Sequence, residues 1–174
     1  NKIRLTGGEP LVRQDIIQLI SQLNLKKKTL LKEITLTTNG TLLENYAKDL
    51  KENGIDRINV SLDTIDENKY KQITKFGNLN KVISGIKEAK NNDIKVKINV
   101  VAIKDFNENE LLSLIKWANQ IKVDLTFIEV MPMGQTDIER HLQFLPLSEV
   151  YEKLNLKYNF YSIDKKTGGP SVYY

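Results

Sequence analysis

The stretch RINVSLD, residues 57–63, decides the fold, because apolar and polar side chains alternate along its length. Successive side chains of a β-strand point to opposite faces, so this alternation predicts a strand with one apolar face and one polar face. The same alternation occurs in KIRLT at residues 2–6, EITLT at 33–37 and KVKINV at 95–100. We therefore expect four strands, each with one apolar face and one polar face.

Segments of helical periodicity separate these strands, with apolar residues recurring at spacings of three and four. The predicted strands are Lys2–Thr6, Glu33–Thr38, Arg57–Leu62, Lys95–Ala102 and Asp124–Val130. The predicted helices are Gln14–Leu23, Leu43–Glu52, Lys81–Asn91, Glu108–Gln120 and Leu147–Leu154, followed by a further strand at Lys157–Ile163. Strands that alternate with helices, without a linker or an internal repeat, predict one α/β domain over residues 1–174 with a parallel sheet.

The polar column of the first four strands predicts the position of a ligand. The apolar column must face the helices, since only these offer a matching apolar stripe, so the polar column lies on the concave side. We name this column the polar face; it comprises Arg4, Thr6, Thr35, Thr37, Asn59, Ser61, Asp63, Lys97 and Asn99. Closed eight-stranded barrels fill their interior with Val, Ile and Leu, so a polar interior indicates a wide or open barrel that holds a polar ligand.

Two cations on the polar face favour an anionic ligand such as a phosphate, because a bidentate Arg4 and a point-charge Lys97 both suit one. We expect this face to be open and wet. Arg4, Lys97 and Asp63 would then pair with one another, with water or with a bound anion, since an unpaired charge cannot remain in a dry site.

Four short motifs fall at the carboxyl ends of predicted strands, where α/β enzymes place their ligands. They are TGGEP at residues 6–10, TTNG at 37–40, NVSLD at 59–63 and MPMG at 131–134. Each also has a purely structural explanation: a strand-to-helix turn, an Asn-Gly turn, a strand end at which Asp63 caps a helix, and a loop. The residues alone leave these alternatives open.

The composition of the chain excludes several classes of ligand and partner. The chain has a net charge of +4 spread along its length, no cysteine and one histidine, His141, which predicts no nucleic-acid partner and no metal site of its own. We place His141 on the surface or in a loop and Trp117 in the core. The sequence contains neither a membrane-spanning segment nor a secretory signal, so we predict no membrane partner and a cytoplasmic location.

Taken in order, KIRLTGGEPLVR, TLTTNG, RINVSLDT, VKINVV and FIEVMPMG resemble the radical S-adenosylmethionine (SAM) enzymes. Within them, the resemblance is to the GTP 3′,8-cyclase (MoaA) family of molybdenum cofactor biosynthesis, and it runs from Lys2 to about Gly134. It implies a partial (β/α)6 TIM-like barrel, of which this chain would contain five to six parallel strands. It also implies an enzyme that uses a 5′-deoxyadenosyl radical to cyclise GTP.

The resemblance assigns residues to two ligands. The residues implied for SAM are Gly8, Glu9, Ser61 and Met131, with Glu9 near the ammonium group of SAM. The residues implied for GTP are Arg4, Thr37 and Lys97, with the two cations on or near the triphosphate. No catalytic residue is assigned. Many relatives have an Arg before Phe-Ile-Glu on the fifth strand, where this chain has Thr126, which removes one phosphate contact.

The family uses two [4Fe-4S] clusters, whose cysteine ligands do not occur in this chain. The sequence begins after the position of the CxxxCxxC loop, and residues 168–170 resemble the stretch ahead of the second cluster domain. We therefore expect this chain alone to be inactive. The implied partners are an electron donor, the next enzyme of the molybdopterin pathway and a second copy of the protein in a homodimer.

Two alternatives remain at this point. The chain could come from another radical SAM enzyme, such as a peptide-modifying member, or it could be a cysteine-free nucleotide-binding module without radical chemistry. A CxxxCxxC motif in the coding sequence just upstream of Asn1 would exclude the second.

Overall fold

Five strands form one fully parallel sheet in the order β1-β2-β3-β4-β5. The computed structural model describes residues 1–131, 140–164 and 171–174, with the backbone alone described at 140 and 141. The strands are β1 Lys2–Leu5, β2 Glu33–Thr38, β3 Arg57–Ser61, β4 Lys95–Ala102 and β5 Asp124–Glu129. Since right-handed crossovers continue in one direction without reversal, the connecting helices lie on one side, as in a (β/α) barrel. The predicted fold class is confirmed.

Six α-helices accompany the sheet in the described ranges. They are α1 Ile16–Leu25, α2 Leu43–Glu52, α3 Glu67–Thr74, α4 Leu79–Asn91, α5 Leu111–Gln120 and α6 Leu147–Asn155. Short 3₁₀ turns lie at Pro10–Val12, Lys26–Lys28, Glu108–Glu110 and Arg140–Gln143. Within those ranges every helix is too short or too polar to cross a bilayer.

The apolar column of the sheet faces the helices, as the alternation predicts. Ile34, Val60 and Ile98 have no exposed surface and belong to one core cluster with the apolar residues of α1, α2, α4 and α5. Trp117 is half-buried and packs against this cluster, which agrees with its predicted place. The polar face therefore lies on the other side of the sheet.

The structure contains one helix that the periodicity does not predict. Helix α3 begins after Asp66, whose carboxylate accepts a hydrogen bond from the Lys69 N–H at 2.9 Å. Asp66, and not Asp63, is therefore the residue that caps the segment after β3. Only Tyr70 on this helix is buried, so α3 has no apolar stripe for a sequence pattern to detect.

The predicted strand at Lys157–Ile163 is wrong. The N–H groups of Lys157 and Tyr158 both donate to the Leu154 carbonyl at 3.0 Å, which continues the end of α6. Within the predicted strand, only Ile163 forms a β-bridge, antiparallel to Tyr173. The first residues of this segment are thus bound to the helix and are unavailable to a sheet.

A buried asparagine holds the carboxyl ends of β3 and β4 in place. Asn107 has no exposed surface, and its Nδ2 donates to the carbonyls of Asp63 at 2.7 Å and Val101 at 2.8 Å. Its Oδ1 accepts from the Ile103 N–H at 2.8 Å. One side chain therefore satisfies three backbone groups that the sheet itself leaves unpaired.

Asp63 completes this junction. Its Oδ1 accepts from the Val101 N–H at 2.7 Å, beyond the last β3–β4 pair of Ser61 and Asn99. Burial raises the pKa of the Asp63 carboxyl, and the hydrogen bond from Val101 opposes this rise only in part. Of the partners expected for Asp63, neither Arg4 nor Lys97 is the one observed, because its carboxylate accepts from the backbone of β4.

We predict that Asn107→Ala lowers the free energy of unfolding by roughly 3–5 kcal/mol, since it leaves three buried backbone groups without partners. Urea denaturation monitored by circular dichroism measures this loss. Asn119→Ala on the exposed side of α5 is the matched control and should change stability by less than about 0.5 kcal/mol. Equal losses in both variants would show that Asn107 has no special structural role.

We predict that Asp63→Asn stabilises the protein at pH 7 but not below pH 4. The raised pKa means that the folded state disfavours the ionised carboxyl, so the parent loses stability as pH rises above the ordinary Asp range of about 4. The neutral amide can still accept from Val101 and escapes this loss. Urea denaturation of both proteins from pH 3.5 to pH 7.5 measures the difference, and a difference independent of pH would contradict the prediction.

Candidate functional site

The Glu9 carboxylate ties together the carboxyl ends of β1 and β2. Its Oε1 accepts from the Leu11 N–H at 3.1 Å and from the Thr38 hydroxyl at 2.7 Å, and its Oε2 accepts from the Asn39 N–H at 2.7 Å. The Thr38 oxygen in turn accepts from the Gly40 N–H at 3.0 Å. The two turns predicted from TGGEP and TTNG are therefore one hydrogen-bonded unit.

The backbone at Gly8 faces open space. A Cβ atom placed on Gly8 would meet no heavy atom within 4 Å, and the same holds for Gly7, whose φ is +144°. The turn thus offers its N–H and C=O groups to a ligand at the carboxyl edge of the sheet. A side chain at Gly8 would occupy the space that such a ligand needs.

Strand register aligns four polar residues across the polar face. Thr37 pairs with Asn59, Asn59 with Lys97 and Lys97 with Asp124. We name these four residues the middle row. Adjacent strands lie about 4.8 Å apart, so the predicted GTP residues Thr37 and Lys97 are about 10 Å apart with Asn59 between them.

Two further rows flank the middle row. Towards the carboxyl ends, Ser61, Asn99 and Thr126 are in register, and Ser61 is exposed. Towards the amino ends, Arg4 and Thr35 are in register on β1 and β2, and Arg4 is exposed. The predicted SAM residue Ser61 therefore lies above the middle row, and Arg4 lies below it at the edge of the sheet.

The C-terminal segment covers Lys97. The Lys97 ammonium donates to the Tyr173 hydroxyl at 2.8 Å and lies 5.0 Å from the centroid of that ring. Lys97 is only 7% exposed, so the expectation of a fully open and wet face is wrong at this point. An antiparallel bridge between Ile163 and Tyr173 holds the segment, and the Tyr174 ring lies 5.0 Å from that of Tyr151.

Asn59 has an acceptor without a partner. Its side chain is 3% exposed, and no described residue donates a hydrogen bond to the Oδ1 atom. Alternation places Asn59 on the polar face, yet nothing in the sequence distinguishes it from its polar neighbours. The burial of Asn59 and the missing partner of its Oδ1 atom follow from the packing of the folded chain, which the strand pattern does not predict.

An ion-pair network closes the amino end of the polar face. The Glu33 carboxylate forms ion pairs with the Lys2 ammonium at 2.7 Å and with a terminal nitrogen of Arg57 at 3.4 Å. The side chains of Glu33 and Arg57 are mostly buried, at 18% and 12% exposed. Two cations and one carboxylate leave this end of the face with a net charge of +1, whereas Lys97 and Asp124 in the middle row carry opposite charges.

Met131 follows β5 and is 61% exposed at the carboxyl edge. The rest of the predicted MPMG motif, residues 132–134, lies outside the described residues, and so does the side chain of His141. The structure thus brings Gly8, Glu9 and Ser61 to the carboxyl ends of β1 and β3, with Thr37 and Lys97 one layer deeper.

The residues present fit an organic ligand better than a metal cluster. The chain has no cysteine, so an iron–sulfur cluster in this protein would need thiolates from outside these 174 residues. Among the described residues there is also no group of three His, Asp or Glu side chains placed to bind a metal ion. The open backbone at Gly8 and the polar rows beneath it do fit a polar ligand such as SAM.

Comparison with known proteins agrees with this geometry. A model of the radical SAM superfamily matches residues 1–118. GTP 3′,8-cyclase of Rhizobium etli (strain CIAT 652) is 49% identical over 172 residues, which cover 99% of this chain and 49% of that protein. GTP 3′,8-cyclase of Brucella ovis is 48% identical over 173 residues, which cover 99% and 50%. The chain thus spans about half the length of the curated relatives it matches.

Solved structures share the fold at low sequence identity. Methylornithine synthase (PylB) superposes with a TM-score of 0.68 at 19% identity, covering 89% of this chain and 47% of that one. Streptococcus suis SuiB bound to S-adenosylmethionine gives a TM-score of 0.65 at 19% identity, covering 88% and 36%. With the matched family model and the sheet order, these findings show that the chain belongs to the radical SAM superfamily.

Proposed function

We propose that this chain is the SAM- and GTP-binding barrel of a GTP 3′,8-cyclase, which acts in molybdenum cofactor biosynthesis. The observation that carries the proposal is the layered site: an open glycine turn at the carboxyl edge, with a buried lysine and a row of polar side chains beneath it. The sequence similarity to GTP 3′,8-cyclases over 99% of the chain supports the same activity.

The carboxyl edge would bind SAM. Gly8 leaves room for the methionine part of SAM against the backbone, and Ser61 and Met131 are exposed near the positions proposed for its ribose and adenine. The Glu9 carboxylate already accepts three protein hydrogen bonds, with a single one at Oε2. A carboxylate oxygen has two lone pairs, so Oε2 can accept one more bond from the SAM ammonium.

The middle row would bind GTP. The Lys97 ammonium has three N–H donors that suit phosphate oxygens, and in this structure one of them is donated to Tyr173. Thr37 offers a hydroxyl two strands away, and the exposed Arg4 adds a second cation at the edge of the sheet. These three residues support a nucleoside triphosphate that lies along the polar face.

In this superfamily, bound SAM supplies the 5′-deoxyadenosyl radical that removes a hydrogen atom from the substrate. The part of this chain in the reaction is to hold both ligands in adjacent layers. Ser61 follows Asn59 by two residues on β3, so the SAM layer lies about 6.6 Å above the GTP layer along this strand. The barrel wall also excludes other hydrogen donors from the reactive group.

The proposed enzyme needs iron–sulfur clusters, and these 174 residues include no cysteine that could bind one. We propose that the [4Fe-4S] clusters and their cysteine ligands belong to segments that flank residues 1–174, which form one barrel unit. An electron donor, the next enzyme of the molybdopterin pathway, a homodimer and a cytoplasmic location stay predictions of the family resemblance.

We predict that Lys97→Ala weakens GTP binding by roughly 10- to 150-fold in the intact, cluster-loaded protein. The substitution removes a charge-assisted hydrogen bond worth roughly 1.5–3 kcal/mol. SAM binding should change much less, because Gly8, Ser61 and Met131 lie in the other layer. Anaerobic titration calorimetry with each ligand measures both affinities.

Lys116→Ala is the matched control for this experiment, since Lys116 is exposed on α5, away from the polar face. It should leave both affinities unchanged. If Lys97→Ala binds GTP as tightly as the parent does, Lys97 is structural, and the assignment returns to a radical SAM enzyme of another substrate.

We predict the opposite selectivity for Gly8→Val. The valine side chain would enter open space, so the free energy of unfolding should change by less than about 1 kcal/mol. The same side chain would block the approach of SAM, so SAM affinity should fall at least tenfold while GTP affinity is retained. Gly8→Ala should give an intermediate loss, and unchanged SAM affinity in both variants would place SAM elsewhere.

A further inference from the structure

We propose that Asn59 is a substrate-positioning residue whose Oδ1 atom accepts a hydrogen bond from a ribose hydroxyl of the bound nucleoside triphosphate. This inference rests on the proposed function and extends it to a residue and a ligand group that the family resemblance did not assign. Two independent observations support it: the unpartnered acceptor and its position between two predicted ligand residues.

The burial of Asn59 gives the first argument. A buried polar atom without a partner costs roughly 1–3 kcal/mol, and nearly all such atoms in folded proteins are satisfied. Asn59 is 3% exposed, and no described residue donates to Oδ1. Its neighbours in sequence, Ile58 and Val60, have no exposed surface and belong to the core on the other face of the sheet.

The Oδ1 atom of Asn59 is a hydrogen-bond acceptor, so its partner must be a hydrogen-bond donor. Phosphate oxygens are acceptors at neutral pH, so the triphosphate group cannot pair with it. Lys97, the next residue in the row, is the cation proposed for the phosphates. The part of a nucleotide that is joined to the phosphates and carries hydroxyl donors is the ribose.

The position of Asn59 along β3 also favours the ribose as its partner. Asn59 lies two residues before Ser61 on β3, hence about 6.6 Å below the proposed SAM layer. The ribose is the part of GTP from which the proposed reaction removes a hydrogen atom, so it must lie between the phosphates and SAM. Asn59 is the middle-row residue of the strand that also carries Ser61.

A ligand reaches Oδ1 only when a neighbouring side chain moves, because solvent does not contact this atom. The long Lys97 side chain can make such a movement, since its ammonium can exchange the Tyr173 hydroxyl for a phosphate oxygen. Substrate binding would then satisfy Asn59 and reorient Lys97 in one event.

Calorimetric titration of the intact, cluster-loaded protein with GTP, 2′-deoxy-GTP, 3′-deoxy-GTP and inosine triphosphate tests the proposal. We expect the parent to bind one of the two deoxy analogues about tenfold more weakly than GTP. Asn59→Leu, which replaces the amide with an apolar group of similar size, should bind GTP about tenfold more weakly and lose that preference. Asn59→Ala serves as a second variant without added bulk.

The stability of the unliganded variants separates positioning from structure. Removing an unsatisfied buried group should leave the urea midpoint of Asn59→Leu equal to or above that of the parent. Asn99→Leu, on the same face of the adjacent strand, is the matched control and should retain the discrimination between GTP and its deoxy analogue.

Three outcomes would overturn the proposal. The first is an Asn59 variant that keeps the full preference for GTP over the deoxy analogue. The second is a loss of discrimination against inosine triphosphate alone, which would place the guanine at Asn59. The third is a parent protein that folds and binds no GTP, which would overturn the proposed function as well, whereas the first two leave that function intact.

Discussion

Buried polar atoms need hydrogen-bond or ion-pair partners, and this requirement determines how the side chains of the polar face are arranged. At the carboxyl ends, Glu9 satisfies donors from two turns, and Asn107 satisfies three backbone groups between β3 and β4. At the amino ends, Glu33 pairs with Lys2 and Arg57. The chain therefore contributes contacts of its own at both ends of the strands, while the buried atoms of the described residues left without a hydrogen-bond partner are Glu33 Oε2 and Arg57 Nε at the amino ends and Asn59 Oδ1 in the middle row.

The middle row places polar and charged side chains at positions where a closed barrel has apolar ones, and this difference has a functional meaning. Closed barrels commonly fill the corresponding positions with branched apolar side chains, which pack without hydrogen-bonding requirements. Here Lys97 is buried against a tyrosine from a distant segment, and Asn59 has an acceptor with no protein donor among the described residues. Positions where a sequence departs from the locally most stable choice are typical of binding sites.

The sequence predicts the features that depend on local pattern. Alternation over five to eight residues was enough to assign the two faces of the first four strands, because the strand period of two is independent of the partner strand. The periodicity failed for α3, which buries only Tyr70, and at residues 157–163, which bind back to the end of α6. The Lys97–Tyr173 contact joins residues 76 positions apart, and no local pattern carries that information.

Register also explains what the change at Thr126 means for the site. Thr126 pairs with Asn99, which is in register with Ser61, so it lies in the row of the proposed SAM layer, one row above Lys97. An Arg at this position, as the family resemblance implies for many relatives, could reach the phosphates from the carboxyl side. A threonine leaves a neutral hydroxyl there, and the ion pairs of Glu33 already engage Lys2 and Arg57 at the opposite end. The attraction for an anionic ligand on this face therefore depends on two cations, the buried Lys97 in the middle row and the exposed Arg4 at the edge of the sheet.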